Sequence, residues 1–576
     1  MPTTHFPAGQ ILQLIELALV LAFSTPVFLR PRPAPFFSRI KQHLANLARR
    51  KRLCVLIVGS SVLFVRIALM PLVGVPEPRW HDEFSYLLAA DTFAHGRLTN
   101  PPHTLWIHFE PFHVIEHPTY MSMYPPAQGL VLGLGEKIGH AWIGQLLITA
   151  LMCSGLCWML QGWLPPRWAL LGAGLAALRL GIFSYWMNGY WAASVVALAG
   201  SLVLGSFPRI KHQARVRDAV WMALGLSILA NSRPYEGFLL AVTAGAALIR
   251  WLFSRKRPAL SIVLVRVALP ILSLLIASAA LTGYYYHRVT GSAFRTGYQL
   301  NRATYSQAPY FLWQNRRPEP VYHHQVIRAF YEREFRDYQK SRTFTGFLRN
   351  SGTKIWFLWI FYLGPLFTLP LLALPWAIRD RRLRFPLFAG TVLLFGITVE
   401  VWASPHYLAA ATGLLYVIIV QSMRHLRFWC WRGNQVGLGL VHAIPVIACA
   451  MILVRILAIA AHMPFDPPWP RGNLSRAQII GSLENTPGGH LIVVHYSPSH
   501  DLDTEWVYNR ADIDHAKVVW ARDMGAFDNR ELLRYFSDRS AWILNADDPQ
   551  AWLVPYSDST PSKSADRHSA SSNRVR

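Results

Sequence analysis

The chain of 576 residues is 52% hydrophobic and 13% aromatic but only 15% charged, whereas water-soluble domains carry about 25% charged residues; water is not its main solvent. Its formal charge of +25 does not signal a nucleic-acid partner, because most basic residues stand in short blocks between apolar runs, as the positive-inside rule requires of a membrane protein. The five cysteines, Cys54, Cys153, Cys157, Cys430 and Cys449, lie in or beside those runs and imply neither a disulfide framework nor a zinc site.

The apolar runs are roughly 17 to 25 residues long, enough to cross a hydrocarbon core of about 30 Å as helices. In chain order they predict crossings at 11–29, 53–73, 141–161, 168–186, 188–206, 218–231, 236–253, 259–283, 353–377, 385–402, 407–424 and 436–460, about twelve in all. The first run has no positive residue before it and no small-residue cleavage signal, so it reads as a helix rather than a signal peptide; its Glu16 is an intramembrane acid without an evident partner. The strongest basic block, Arg30 to Arg52, ends in Arg49-Arg50-Lys51-Arg52 and contains no acid, which assigns it to the cytoplasm. Counting crossings from it puts Arg209 to Arg217, Arg255-Lys256-Arg257, Arg379 to Arg384 and Arg424 to Arg432 on the same side. Ala127 to Gly139 is apolar but only about 13 residues long, and reads either as a re-entrant or tilted helix or as a full span, in which case another crossing in the count is wrong.

Three large segments then fall on the non-cytoplasmic side: 74–126, 284–352 and everything after about Ala461. In the last, His490 to Tyr496, Val518 to Trp520 and Ala541 to Leu544 read as strands and Asn529 to Phe536 as a helix, a small α/β domain over 461–556. Its Asp501, Asp503, Asp512 and Asp514 read as solvated acidic turns. The tail 557–576 is rich in Ser, Arg and Asp and is expected to be disordered. The expected architecture is thus an all-α polytopic membrane protein with about twelve transmembrane helices and a small C-terminal α/β domain: an N-terminal helix and basic linker over 1–52, a transmembrane domain over 53–460, then the outer domain.

Just beyond the second crossing the chain reads Arg79-Trp80-His81-Asp82-Glu83, followed by Phe84 to His95 and Gly96, a helix with two acids in its first turn and a glycine stop. Such pairs commonly cap a helix and complement its dipole. Here the pair stands at a membrane exit, in a loop of some fifty residues, far longer than a connector requires. The loop also carries His103, His108, His113 and His117 and ends in Tyr124-Pro125-Pro126. The histidines lack the compact spacing of a zinc site, so no metal or other cofactor is expected.

In Asp82-Glu83, Tyr86, Ala89-Ala90, Gly96 and Pro125-Pro126, and in its pattern of helices over roughly residues 53 to 430, the sequence resembles the polytopic glycosyltransferase C superfamily. Protein O-mannosyltransferases and lipid A aminoarabinose transferases are members. The resemblance implies inverting transfer of a sugar from a polyprenyl-phosphate donor to a glycan, lipid or protein acceptor on the non-cytoplasmic face, in a bacterial inner membrane. It implies Asp82 as general base, with Glu83 in support. A positioned carboxylate that takes the proton of a weak hydroxyl nucleophile contributes about 100-fold to 10,000-fold. The leaving lipid phosphate stays ionised and calls for cationic or hydrogen-bonding partners. Relatives can carry a basic residue directly before Pro-Pro, where this chain has Tyr124, so Arg233 at an outer membrane boundary is the expected phosphate ligand. His406, in Pro405-His406-Tyr407, together with Tyr86 and Tyr124, completes the expected substrate-binding set.

Each residue also has a plainer reading. Arg233 could be a snorkelling arginine and His406 a packed histidine. Arg288, Arg295, Tyr298, Arg302 and Tyr305 suit a sugar-phosphate site and an interfacial belt equally. Two other function classes share the overall pattern. A transporter or flippase of a lipid or glycolipid would tend to show two related halves, and no internal repeat is present; a non-catalytic scaffold would need only the helices.

Overall fold

The structure, a computed structural model, describes residues 6–29, 36–254, 257–463, 472–548, 550 and 552–557. The tail expected to be disordered lies outside the described residues from 558 onward, as do 30–35 and 255–256 of two basic blocks. Helix accounts for 66% of the chain, and the sheets are a short hairpin pairing Val114–Ile115 with Met121–Ser122 and the sheet of the C-terminal domain.

Among the described residues nine helices are long and apolar enough to span a membrane: Ile11–Phe28, Ala141–Trp163, Ala193–Gln213, Pro234–Leu252, Leu260–Thr290, Phe344–Leu371, Arg381–Val399, Pro405–Leu426 and Val436–Ala460. The chain is a multi-pass membrane protein, but the expected count of about twelve is not reached on length and apolarity. The other three runs do form helices. Lys51–Ala68 carries Lys51, Arg52 and Arg66, while Pro166–Leu180 and Val216–Ala230 have 15 residues each, reaching about 22 Å against a core of about 30 Å. Pro126–Lys137, at 12 residues, is shorter still.

The expected helices at 168–186 and 188–206 are separated by an irregular stretch from Gly181 to Ala192. Aromatic residues make this stretch look like a span, yet its backbone groups are satisfied by side chains, two from other elements and one from within the stretch. Trp142 Nε1 donates to the Met187 carbonyl at 2.9 Å, Gln128 to the Tyr190 carbonyl at 2.8 Å, and Asn188 to that of Ile182 at 2.9 Å. Buried Arg66 holds the Asn188 side chain at 3.0 Å. Non-helical backbone is tolerated near a membrane only under such conditions.

Glu16 also has its partner. Arg179 donates to its carboxylate at 3.0 and 3.2 Å and, through its other nitrogens, to the carbonyls of Ile360 and Phe361. Those carbonyls belong to a π-helical turn, Trp359–Leu363, ahead of Gly364 at φ 56°.

The connectors gather at the two ends of the bundle. At one end Gln161 reaches the Lys51 carbonyl at 2.9 Å, Arg209 the Trp158 carbonyl at 2.7 Å, and His425 pairs with Asp380 at 3.6 Å. At the other end the helix His81–Ala94 packs on Pro126–Lys137, where a Cβ added at Gly129 would lie 2.6 Å from the Ala89 Cβ and one at Gly133 2.8 Å from the Ala90 carbonyl oxygen. The Ala89-Ala90 pair and the facing glycines therefore permit this close approach. The segment 284–352 is not all loop, because the helices Leu269–Thr290 and Phe344–Leu358 extend into it, and it contains the helices Gly297–Tyr305 and Gln325–Ser341.

The C-terminal domain is a four-stranded sheet in the order Val518–Arg522, Gly489–His495, Arg539–Asn545, Leu553–Pro555, the first three parallel and the last antiparallel. The strands and the helix Ala526–Tyr535 match expectation within a few residues; the helix Leu474–Glu484 and the edge strand Leu553–Pro555 extend it. The domain docks on the helix His81–Ala94: Phe84 and Leu88 share a core with Leu491, Val493, Tyr508 and Leu532, Phe84 stacks on Tyr508 with centroids 4.2 Å apart, and Asp91 accepts from the Ala511 N–H at 2.7 Å.

Candidate active site

The two adjacent acids point in different directions. Glu83 is buried and reaches back to accept from the backbone N–H groups of Arg79 at 3.0 Å and Trp80 at 3.1 Å, while its other oxygen accepts from Tyr190 N–H at 3.0 Å. It thus satisfies donors at the start of the site helix, His81–Ala94. It also ties that helix to the irregular stretch around Tyr190. Burial pushes its carboxyl up to about 7 despite these donors. Glu83, expected to support the base, is turned towards these backbone donors and is not among the residues lining the neighbouring cavity.

Asp82, one residue earlier, turns out into that cavity with 23% of its side chain exposed. Its Oδ1 accepts from His113 Nδ1 at 2.6 Å and from the Tyr124 hydroxyl. Burial works to raise its carboxyl, but the His113 charge and the hydrogen bonds from His113 and Tyr124 outweigh burial and hold it well below the ordinary carboxylate value. Oδ1 is committed to these partners. His113 is held in place by its backbone: its φ is 60°, and its carbonyl accepts from the Ser85 hydroxyl at 2.7 Å and the Met123 N–H at 3.1 Å. A non-glycine residue in this region costs of order 1 kcal/mol and persists where the surroundings dictate it.

The cavity has a volume of about 540 Å³. Its head is polar, formed by Arg79, His81, Asp82 and His113 from the first loop, Arg333 and Asp337 from the second, and Asp503 from the C-terminal domain. Its body is mainly apolar and lies among the helices of the bundle, with Leu12, Leu178, Phe361, Phe367 and Met451 in the walls and Gln13, Arg179 and Arg455 beside them. His81 joins head to outer domain: Nε2 meets the Leu502 carbonyl at 2.8 Å and Nδ1 the Tyr508 hydroxyl at 3.0 Å. A carbonyl can only accept, so the proton sits on Nε2 and Nδ1 accepts from tyrosine. Burial, with the neighbouring His113 charge, pulls this imidazole down to about 4, so it is neutral at pH 7.

The structure brings some of the expected residues together and not others. His406 lines the cavity, with Nδ1 3.1 Å from the Tyr185 hydroxyl and its ring over Trp191. Tyr124 reaches Asp82 from behind, and Tyr86 stacks on Tyr124 at 4.4 Å, a buried support without cavity exposure. Arg233 does not line the cavity: its guanidinium lies 3.8 Å over the Tyr407 ring and 3.6 Å from Glu236. Of the loop residues, Arg302 is buried in an ion pair with Glu334, while Arg288 and Arg295 are exposed.

The four loop histidines disperse: His103 to Asp514 at 3.1 Å, His108 to the Arg522 carbonyl at 3.4 Å, His113 to Asp82, and His117 against Trp106. Asp503 departs from the solvated turn expected of it, being buried and paired with Arg333 at 2.6 Å, whereas Asp501, Asp512 and Asp514 are exposed. His81, His113, Arg333 and Asp503 had no local signal; each acquires its role through a contact distant in sequence.

The sequence matches no protein-family model and no curated protein. Among solved structures it is similar to the Archaeoglobus fulgidus oligosaccharyltransferase tethered to an acceptor peptide containing the NVT sequon, with 13% identity and a TM-score of 0.40, covering 87% of this chain and 64% of that one. It is likewise similar to the oligosaccharyltransferase AglB of the same organism in complex with an inhibitory peptide and a dolichol-phosphate, with 13% identity and a TM-score of 0.38, covering 77% of this chain and 62% of that one. The chain thus spans 64% of the length of the first of these, and a likeness this distant carries no part of the reading that follows.

Proposed function

We propose that this chain is a membrane glycosyltransferase that takes a sugar from a polyprenyl-phosphate donor and transfers it, with inversion, to an acceptor hydroxyl on the non-cytoplasmic face. The observation that carries the reading is a cavity with two chemistries, an apolar body among membrane-spanning helices and a polar head that holds Asp82. An isoprenoid chain suits the walls around Leu178, Phe361 and Met451, and a charged headgroup suits the opposite end.

Asp82 serves as the general base. Kept ionised by His113 and Tyr124, it removes the acceptor proton as the hydroxyl oxygen attacks the anomeric carbon from the face opposite the phosphate. The bond to the phosphate breaks, and the lipid phosphate leaves as an anion without needing a proton. Arg79 and Arg455, which line the cavity, are the cations suited to that phosphate; Arg233 does not line it. The basic connectors at the opposite end of the bundle support the non-cytoplasmic face.

Membranes containing the chain, supplied with radiolabelled undecaprenyl-phosphate sugars and a crude acceptor fraction, should incorporate label. Bare undecaprenyl phosphate should compete with the donor. Incorporation that is absent for every hexose and pentose donor would defeat the proposal.

A further inference from the structure

The head of the cavity contains a buried carboxylate whose second oxygen has no partner. Asp503 comes from the C-terminal domain, lines the cavity, and is only 7% exposed. Its Oδ1 accepts from Arg333 Nη2 at 2.6 Å, while its Oδ2 is buried with no hydrogen bond. A buried acceptor left unmet costs about 1–3 kcal/mol, and more when charged, so such an oxygen marks a place where a donor belongs.

The donor's chemistry follows from the pair. Arg333 already balances the charge of Asp503, so the site calls for a neutral O–H rather than a cation. A carboxylate oxygen beside a guanidinium presents an acceptor and a donor side by side, which suits neighbouring hydroxyls on a sugar ring: one donates to the carboxylate while another accepts from arginine. The platform is fixed. Arg333 and Phe330 stand on one helix, Gln325–Ser341, and the preceding residue Leu502 is held through its carbonyl by His81, directly before Asp82 in sequence. The sugar subsite is thereby tied to the position of the base.

We infer that Asp503, oriented by Arg333, is a sugar-hydroxyl-binding residue, so that the C-terminal domain forms part of the substrate site. The inference rests on the transferase reading above. The hydroxyls could belong to the donor sugar or to a sugar of the acceptor, and the test separates the two.

Full-length protein is assayed with radiolabelled undecaprenyl-phosphate hexoses and pentoses and a crude acceptor fraction, comparing the parent with Asp503→Asn and Asp503→Ala. Losing a hydrogen bond to a charged group raises KM about tenfold or more. The expected result is such a rise for Asp503→Ala, a smaller one for Asp503→Asn, and kcat nearly unchanged. A rise for the donor assigns the hydroxyls to the transferred sugar; a rise for the acceptor fraction assigns them there. A merely structural role would instead lower kcat and the melting temperature together without moving either KM, and that outcome overturns the inference. So does an active parent whose Asp503 variants keep both KM values within twofold. No transfer by the parent with any donor defeats the transferase reading, and the subsite with it.

Discussion

Asp82 and Glu83 are neighbours in sequence with opposite fates, because successive helical residues point about 100° apart. The motif was legible because its parts are local: two acids in a first turn, Gly96 as stop at φ 71°, and Pro126 at the start of the helix Pro126–Lys137. The division of labour between the acids was not legible, since it depends on Tyr190 for one and on His113 and Tyr124 for the other. The His113 contact yields a pH prediction. His113→Leu removes a charge and a donor that hold the Asp82 carboxyl down, so that carboxyl titrates at higher pH. The base form then disappears earlier on acidification, and the acid limb of the rate profile should move to higher pH. An unmoved acid limb would separate His113 from the base.

At the scale of elements, two contacts hold the site. The broken helix Phe344–Leu371 frees carbonyls at its π-helical turn, and Arg179 meets them while pairing with Glu16. Glu16 appeared in the sequence as an unexplained acid because its partner lies 163 residues away. Removing one member of a buried pair costs about 3–5 kcal/mol. Glu16→Gln and Arg179→Met should each lower the melting temperature markedly in detergent, and the double variant should lose less than the two combined. Strict additivity would show that the pair does not act as a unit.

The second contact joins the site helix to the outer domain through His81. Its imidazole is lowered in the fold to about 4, against an ordinary value of about 6.5. The neutral form is the docked form. Its contribution is therefore present above about pH 6.5 and lost as pH falls toward 4, because the undocked histidine takes up a proton that the docked one refuses. Protection factors, with the intrinsic pH dependence of amide exchange divided out, should be larger at pH 7.5 than at pH 4.5 in the strand Gly489–His495 and the segment 502–508, and His81→Gln should flatten that difference. An equal difference in the variant would assign the effect to other groups.

For the molecule as a whole, apolar runs and basic blocks carried the architecture, because the bilayer imposes length and charge rules that one sequence can display. They misjudged the stretch Gly181 to Ala192, where composition resembles a span but backbone satisfaction comes from Gln128, Trp142 and Asn188. Asp503 was unreadable for the same reason: an acid in a polar loop is ordinarily solvated, and only docking of the outer domain buries it. With the basic connectors at one end, the first loop and the C-terminal domain share the other. Tags near Thr99 and Ser557 should both be reached by an impermeant reagent from outside intact cells; access to only one of them would contradict the topology.

The central claim is that Asp82 takes the acceptor proton at the head of a lipid-accessible cavity, and turnover of Asp82→Asn tests it most directly. The substitution keeps the shape of the side chain and can still accept at Oδ1, while Glu83 continues to satisfy the helix start. The account predicts a loss of roughly 100-fold or more in kcat, with melting temperature and donor KM close to those of the parent. Asp82→Asn that turns over at the parental rate, at equal expression, would contradict it.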